Sequence, residues 1–212
     1  CLASNDGTSA IKLKSKSKII HSKYNDLKDE QEKLRNTVVA IAGMGGVGSS
    51  HAIALARLGF SKFKIADLDH YEVSNFNRQA GAFMSTLNKS KVDVIKKTLL
   101  DINPEAEVEV FKDGITLGNA EEFLKGVDVY VDGLDFFVMP IRRLVFGTCH
   151  KLGIPATTAA PAAWGVTCMS FSEDTKITFD AFFDLHDDMP MLTQYLHFYI
   201  GLRGKNIFEG SL

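Results

Sequence analysis

Val38-Val39-Ala40-Ile41-Ala42-Gly43-Met44-Gly45-Gly46-Val47-Gly48-Ser49 is the stretch that decides the fold. Its first residues form an unbroken apolar run ending at Gly43, which reads as a strand buried on both faces. Gly43, Gly45, Gly46 and Gly48 then permit a tight turn and let backbone approach a phosphate closely. The segment from Ser49 to Leu58 is rich in Ala and Leu and stops at Gly59, which predicts a helix. The free N–H groups and positive end of that helix favour an anion. The loop lacks the Gly-Lys-Ser/Thr ending of a Walker loop, so ordinary P-loop chemistry is disfavoured.

Working outward, residues 25–36 predict a short charged helix. Phe63, Ile65 and Ala66 predict a second strand ending at Asp67. Val92, Ile95, Leu99 and Ile102 follow helical spacing, with Pro104 just beyond. Ala106, Val108 and Val110 alternate with glutamates, as in a half-exposed strand. Val127, Val129 and Val131 predict a strand ending at Asp132-Gly133, followed by a helix over roughly 138–152 and a strand near 154–158. Strand–helix alternation of this kind predicts an α/β, Rossmann-like, mostly parallel sheet with helices on both faces. Alternation from Val166 to Phe171 predicts an antiparallel extension. In the aromatic tail, Met189, Leu192, Leu196 and Tyr199 stand near helical spacing, which predicts a helix packing on the sheet or on a second subunit. The expected division is an N-terminal extension over 1–24, a nucleotide-binding domain over 25–171 and a C-terminal aromatic extension over 172–212.

Composition narrows the function classes. Of 212 residues, 45% are apolar and 24% charged, an ordinary globular balance, and the formal net charge of −2 gives no basic excess for a nucleic-acid partner. No apolar run reaches the roughly 20 residues of a membrane helix. The start carries Lys12, Lys14, Lys16 and Lys18 without an apolar run of signal-peptide length, so no export signal is expected. Cys1, Cys149 and Cys168 form no Cys-x-x-Cys pair, so no four-thiolate zinc site is expected within the chain, and a reducing, cytoplasmic setting is. The thiols of Cys149 and Cys168 read as inert packing, and His70, His150, His186 and His197 show no triad or metal spacing. Beginning at Cys1 and ending in a glycine-containing tail, the sequence reads as a piece of a longer protein.

Asp67 ends the second strand about twenty residues past the glycine loop, where a carboxylate can accept hydrogen bonds from ribose hydroxyls. Loop and acid together predict an adenosine nucleotide without separating NAD from ATP. The choice rests on Asp67-Leu68-Asp69-His70-Tyr71-Glu72-Val73-Ser74-Asn75-Phe76-Asn77-Arg78-Gln79. Here the chain resembles the ubiquitin-activating-enzyme-like superfamily, whose bacterial members include ThiF, MoeB and HesA. That family carries Gly-x-Gly-Gly-x-Gly-Ser, then Asp-x-Asp-x-(Val)-x-x-Ser-Asn-Leu-x-Arg-Gln, with Phe76 here in place of Leu. Its Gly-x-x-Lys aligns with Asn88-Lys89-Ser90-Lys91, Asn replacing Gly. Its Asp-Asn aligns with Asp135-Phe136, Phe replacing Asn. The resemblance spans roughly residues 30–171.

The resemblance implies an enzyme that adenylates a carboxylate with ATP and Mg²⁺, releasing pyrophosphate. It implies an ATP site built from Gly43, Gly45, Gly46, Gly48, Asp67, Asp69, Asn75, Arg78, Gln79, Lys91 and Asp135. Arg78, Lys91 and Asp135 would be catalytic, with Asp135 on the magnesium. Arg78 offers a planar fork for phosphate oxygens and Lys91 a point charge, each charge-assisted bond being worth about 1.5–3 kcal/mol. The carboxylate is expected to be the C-terminus of a ubiquitin-like sulfur carrier, a peptide or a small molecule, and the assembly a homodimer. The chain departs from the family in two further respects. The stretch Ser22-Lys23-Tyr24-Asn25-Asp26 lacks the arginine that relatives present before the first strand, Arg35 being the nearest substitute. Arg142 and Arg143 are displaced by about two residues from the family's arginine. Two other readings therefore stay open: an NAD(P)-binding oxidoreductase, and an inactive partner subunit of the same fold.

Overall fold

The computed structural model describes residues 28–162 and 165–203; the lysine-rich segment, the N-terminal extension and Trp164 lie outside them. A six-stranded sheet runs in the order β3-β2-β1-β4-β5-β6, from strands β1 (Val38–Ala42), β2 (Lys62–Ala66), β3 (Glu107–Phe111), β4 (Val129–Asp132), β5 (Ala156–Ala162) and β6 (Gly165–Phe171). The first five are mutually parallel, and β6 returns antiparallel to β5, pairing Ala156 with Phe171 and Ala162 with Gly165. This is the expected mostly parallel Rossmann-like sheet with its antiparallel extension.

Seven helices surround the sheet among the described residues: α1 (Lys28–Asn36), α2 (Gly46–Leu58), α3 (Lys91–Ile102), α4 (Ala120–Leu124), α5 (Met139–Leu152), α6 (Phe179–Phe183) and α7 (Met191–Arg203). Strand β1 shows why its apolar run is continuous. Val39 and Ile41 point to one core with Ile95 and Leu99 of α3, while Ala40 and Ala42 point to the other with Val145 and Phe146 of α5. At the edge, β3 keeps Glu107 and Glu109 exposed and turns Val108 and Val110 inward, as its alternation predicted; outward charge on an edge strand discourages pairing with another chain.

Three local expectations change. Helix α2 starts at Gly46, not Ser49, so half of the glycine loop is helix. Low helix propensity is overridden there because a Cβ on Gly48 would lie 1.7 Å from the Gly43 carbonyl oxygen, leaving glycine as the residue that fits. Helices α4 and α6 are short and had no periodicity to announce them. In α7 the spacing of Leu192, Leu196 and Tyr199 marks the exposed face; the buried stripe is Gln194, Phe198 and Leu202. A helix with apolar residues on both sides does not reveal its inner face by hydrophobicity alone. Phe198 and Leu202 join Phe179 and Phe183 of α6 in the same core as Ala40 and Ala42 of the central strand.

Strand order reverses at β1: the chain builds β2 and β3 on one side, then crosses to β4 on the other. The carboxyl ends of β1 and β4 therefore flank a crevice, the place where open α/β sheets bind ligands.

Candidate functional site

A cavity of about 840 Å³ opens at that crevice, within the size range of small-molecule sites. Gly43, which follows β1, has φ +87°, and a Cβ there would meet the Gly133 carbonyl oxygen at 2.2 Å. Gly133 in turn would bring a Cβ within 2.7 Å of the Gly48 Cα. Three glycines thus pack backbone against backbone and let the start of α2 sit directly over the ends of β1 and β4. Gly133 was not among the predicted site residues; its place next to Asp132 at a strand end was the available signal. No side chain caps α2 and no acid stands in its first turn, so its leading N–H groups, which have no intrahelical acceptors, face the cavity as anion donors.

Asp67, just past β2, lines the cavity, and both its carboxylate oxygens already work: Oδ2 accepts the Met44 N–H at 2.6 Å and Oδ1 the Asp69 N–H at 2.8 Å. Its role in the fold is to hold the glycine loop. Burial raises its pKa above the usual carboxylate value, opposed by those two N–H bonds and by Lys91.

The polar loop after β2 is tied back by a short antiparallel ladder. Tyr71 N–H donates to the Lys89 carbonyl at 3.0 Å, Asn88 N–H to the Tyr71 carbonyl at 2.9 Å, and Lys91 N–H to the Asp69 carbonyl at 3.0 Å. This ladder carries Lys91, the first residue of α3, into the cavity wall. Asn88 has φ +62°, a left-handed conformation that asparagine tolerates better than most side chains. Asparagine in place of the family's glycine therefore leaves the turn intact.

Arg78, Lys91, Asn75, Gln79, Asp69 and Asp135 all line the cavity with Gly43, Gly45 and Gly46; Gly48 packs behind them. Lys91 is 6% exposed, and its Nζ donates to Asp69 Oδ2 at 2.9 Å. Arg78 is exposed and uses one terminal nitrogen on the Ser74 carbonyl and Asn77 Oδ1, both at 3.0 Å. Asn75 is buried and accepts the Glu72 N–H through Oδ1 at 3.0 Å, which sets the turn from which Arg78 projects. Gln79 lines the cavity and is buried, with its amide oxygen unpartnered and out of contact with solvent. Asp135 is exposed and accepts the Phe137 N–H at 3.1 Å. Arg35 is absent from the lining and pairs with Glu105 at 3.1 Å.

Sequence reasoning missed the clamp beneath Asp135. Arg142, 2% exposed, donates from Nε to Asp132 Oδ2 at 2.8 Å and from its terminal nitrogens to the carbonyls of Leu134, Asp135 and Phe136 at 2.6, 3.1 and 3.4 Å. Asp132 also accepts the Thr158 hydroxyl at 2.9 Å and the Leu134 N–H at 3.1 Å. The guanidinium lies 4.9 Å from the Phe198 ring centre. The displaced Arg142 is thus a buried brace that shapes the Asp135 loop. Arg143 turns away to Asp180 and Asp187, at 2.7 and 2.8 Å.

The chain is similar to known proteins in sequence and in fold. The chain is 39% identical over 137 residues to the tRNA threonylcarbamoyladenosine dehydratase of Bacillus subtilis, covering 64% of this chain and 53% of that protein. It is 36% identical over 122 residues to a probable molybdopterin-synthase adenylyltransferase of Porphyra purpurea, covering 58% and 31%. Among solved structures, the Escherichia coli tRNA N6-threonylcarbamoyladenosine dehydratase in complex with ATP superposes with TM-score 0.59 at 29% identity, over 62% of this chain and 54% of that one. Escherichia coli MccB with ATP superposes with TM-score 0.53 at 28% identity, over 61% and 38%. The chain therefore spans about half the length of the dehydratases and about a third of the adenylyltransferase. The ThiF family model matches residues 20–195, which takes in the whole sheet, the glycine loop and every residue placed in the cavity above; the chain belongs to the ThiF family.

Proposed function

We propose that the chain is the nucleotide-binding part of an ATP-dependent adenylyltransferase that activates a carboxylate. The carrying observation is the convergence of Arg78, Lys91 and Asp135 on one cavity with the open start of α2. ATP in complexes of ThiF-fold relatives supports the choice of nucleotide, and Escherichia coli MccB solved together with AMPCPP and MccA supports a second molecule as the partner that brings the carboxylate.

In this reading the helix start and glycine loop take the phosphates, Asp67 takes a ribose hydroxyl and Gln79 belongs to the wall of the nucleotide site. A carboxylate oxygen attacks the α-phosphorus, and the bond from that phosphorus to the bridging oxygen breaks as pyrophosphate leaves. Negative charge grows on the phosphoryl oxygens and the departing group, and cations already fixed in place stabilise it without reorganising. Arg78 reaches from the loop with most of its fork unpaired. Lys91 is held by Asp69, which orients the ammonium while sharing its charge. The family implies magnesium, and the residues fit it: among the described residues no three acids, histidines or cysteines cluster as a metal cage, but Mg²⁺ is commonly held by one or two carboxylates plus phosphate oxygens. Asp135 would supply that carboxylate, and the ion would neutralise phosphate charge. Residues 25–171 are the nucleotide-binding unit in this proposal, with Phe198 and Leu202 of α7 completing a wall of the cavity. A ubiquitin-like protein tail remains one candidate acid, and a homodimer the expected assembly.

Acid-dependent exchange of labelled pyrophosphate into ATP tests the reading. Arg78→Ala and Asp135→Ala are each expected to cut exchange by about 10- to 100-fold, the size of one charge-assisted bond. Full exchange in both variants would remove the site assignment, and tight binding of NADH with none of ATP would select an oxidoreductase.

A further inference from the structure

The cavity runs on past Asp135 to the end of β5, where Ala159, Ala160 and Pro161 line it opposite Phe198 and Leu202 of α7. The backbone of β5 is only half paired there. Tyr130 N–H donates to the Pro155 carbonyl at 2.9 Å, so odd-numbered residues of β5 turn their backbone groups toward β4 and even-numbered ones toward β6. Strand β4 ends at Asp132, opposite Thr158, whereas β6 stays paired with β5 as far as Ala162. Beyond Asp132 the odd-numbered residues therefore face a place that no strand fills. The parallel register gives the Ala159 N–H to the Asp132 carbonyl, and Pro161 has no N–H. The edge thus presents two carbonyl oxygens, of Ala159 and Pro161, and no donor. Among the described residues no N–H from a loop or helix reaches either oxygen. Side chains at this end do not serve them: Arg142 and Thr158 are committed to Asp132 and to loop carbonyls. The opposite wall is fixed, since Phe136 packs 5.5 Å from Phe198 and Thr167 of β6 donates to the Leu202 carbonyl at 2.6 Å.

We infer that the carbonyls of Ala159 and Pro161 seat the acid being activated as the extended end of a peptide chain, accepting its N–H groups at alternate residues so that it lies as a short added strand in the place β4 leaves. The inference rests on the adenylation reading and deepens it. Carbonyls in a cavity wall need donors once a ligand displaces solvent from them. These two stand two strand residues apart, roughly 6.6–6.8 Å, the distance at which N–H groups on one side of an extended chain recur. Their position suits the acid and not the nucleotide. Asp67 at the end of β2 draws the ribose to one side of the glycine loop, and β5 lies on the other side, beyond β4. The carboxylate belongs beside the phosphates and Asp135, at the Ala159 end, so the peptide runs antiparallel to β5 and enters past Pro161. Because Pro161 supplies no N–H, this edge reads the tail through its donors. A tail with proline at either donor position would leave one of the two oxygens unmet.

The probes are non-reactive acyl-adenylate mimics, 5′-O-(N-acylsulfamoyl)adenosines, titrated calorimetrically into the wild-type chain beside ATP. Acetyl, glycyl and acetyl-tetraglycyl forms share the adenosine and differ in the chain. In four further forms one glycine of the tetraglycyl chain at a time is replaced by glycolic acid, which exchanges its N–H for an ester oxygen with little change of shape. The acetyl-tetraglycyl form is expected to bind at least about tenfold tighter than the acetyl and glycyl forms. Esters at two positions separated by one residue are expected to weaken it about five- to tenfold each, and the ester between them by about twofold or less. A tetraglycyl mimic carrying a photoreactive diazirine side chain on that intervening residue is expected to label residues 156–162 or α7. An acetyl or glycyl form that matches the tetraglycyl form overturns the inference, as do equal losses at adjacent positions, no loss at any position, or labelling that misses both segments. ATP binding with a flat acyl series removes this inference and leaves adenylation standing. Failure of ATP and all the mimics to bind removes both.

Discussion

Replacing Arg142 by methionine isolates the brace under the Asp135 loop. Methionine keeps an unbranched apolar stem against Phe198 but removes the charge and every donor. The lost contacts are the Asp132 bond at 2.8 Å and the bonds to the Leu134, Asp135 and Phe136 carbonyls at 2.6, 3.1 and 3.4 Å. The side chains of the ion pair are 3% and 1% exposed, so Asp132 would be left charged in the interior. Removing one partner of such a pair costs about 3–5 kcal/mol. Summing the four bonds separately would overshoot, because they belong to one network, and Asp132 keeps the Thr158 hydroxyl and the Leu134 N–H. Against a total stability of about 5–15 kcal/mol this is a large fraction. At about 2–4 °C per kcal/mol for a domain of this size, Tm should fall by roughly 6–20 °C. Urea denaturation should show a lower midpoint with an unchanged slope. The double variant Arg142→Met with Asp132→Asn, which removes the orphaned charge, should recover about half of the loss. ATP affinity should also fall in Arg142→Met below its lowered Tm, since the carbonyls it loses belong to the segment that places Asp135. A loss under about 1 kcal/mol, or a double variant no better than the single one, would refute the brace.

Gly48→Ala places a Cβ 1.7 Å from the Gly43 carbonyl oxygen, so the start of α2 must move; a loss of about 1–3 kcal/mol together with weakened ATP binding is expected, and thermal melts with nucleotide titrations would show an error if both stay at wild-type values. Lys91→Met removes a cation paired with an Asp69 side chain that is 58% exposed, so stability should change by about 1 kcal/mol or less while ATP affinity drops by about 10- to 100-fold; a large loss of stability with unchanged ATP affinity would make Lys91 structural. Burial pushes the Cys149 thiol up to about 12, whereas Cys168 is exposed. Peptide mapping after mild alkylation at neutral pH should find Cys168 modified and Cys149 untouched until the chain unfolds, and equal labelling of the two in the native state would contradict the packing.

Much of the site was readable because its residues are local to their elements. The glycine loop follows β1 directly, and Asp67, Asn75, Arg78 and Gln79 occupy one continuous loop whose residue types match anion and nucleotide chemistry. Lys91 was harder to single out, standing near Lys89, Lys96 and Lys97, and only the ladder between Tyr71 and Lys89 explains why this lysine is turned inward. Gly133 and Arg142 were missed for a common reason: each matters through a contact with a distant part of the chain. Gly133 must be small because Gly43 and Gly48 press on it, and Arg142 is buried because Asp132, the following loop and Phe198 surround it. Neither constraint has a local pattern.

Hydrophobic period and turn chemistry act over a few residues, so the amino-acid order alone determined the strand–helix alternation, the parallel sheet, the antiparallel return and the glycine loop between β1 and α2. Which face of α7 turns inward, where the glycine loop becomes helix, and how the cavity passes from the glycine loop to the apolar wall of Phe198 and Leu202 were decided by packing between segments far apart in the chain. Those outcomes depend on which surfaces meet once the sheet has formed, and a helix with apolar residues on both sides, such as α7, is compatible with more than one such meeting until the tertiary fold selects it.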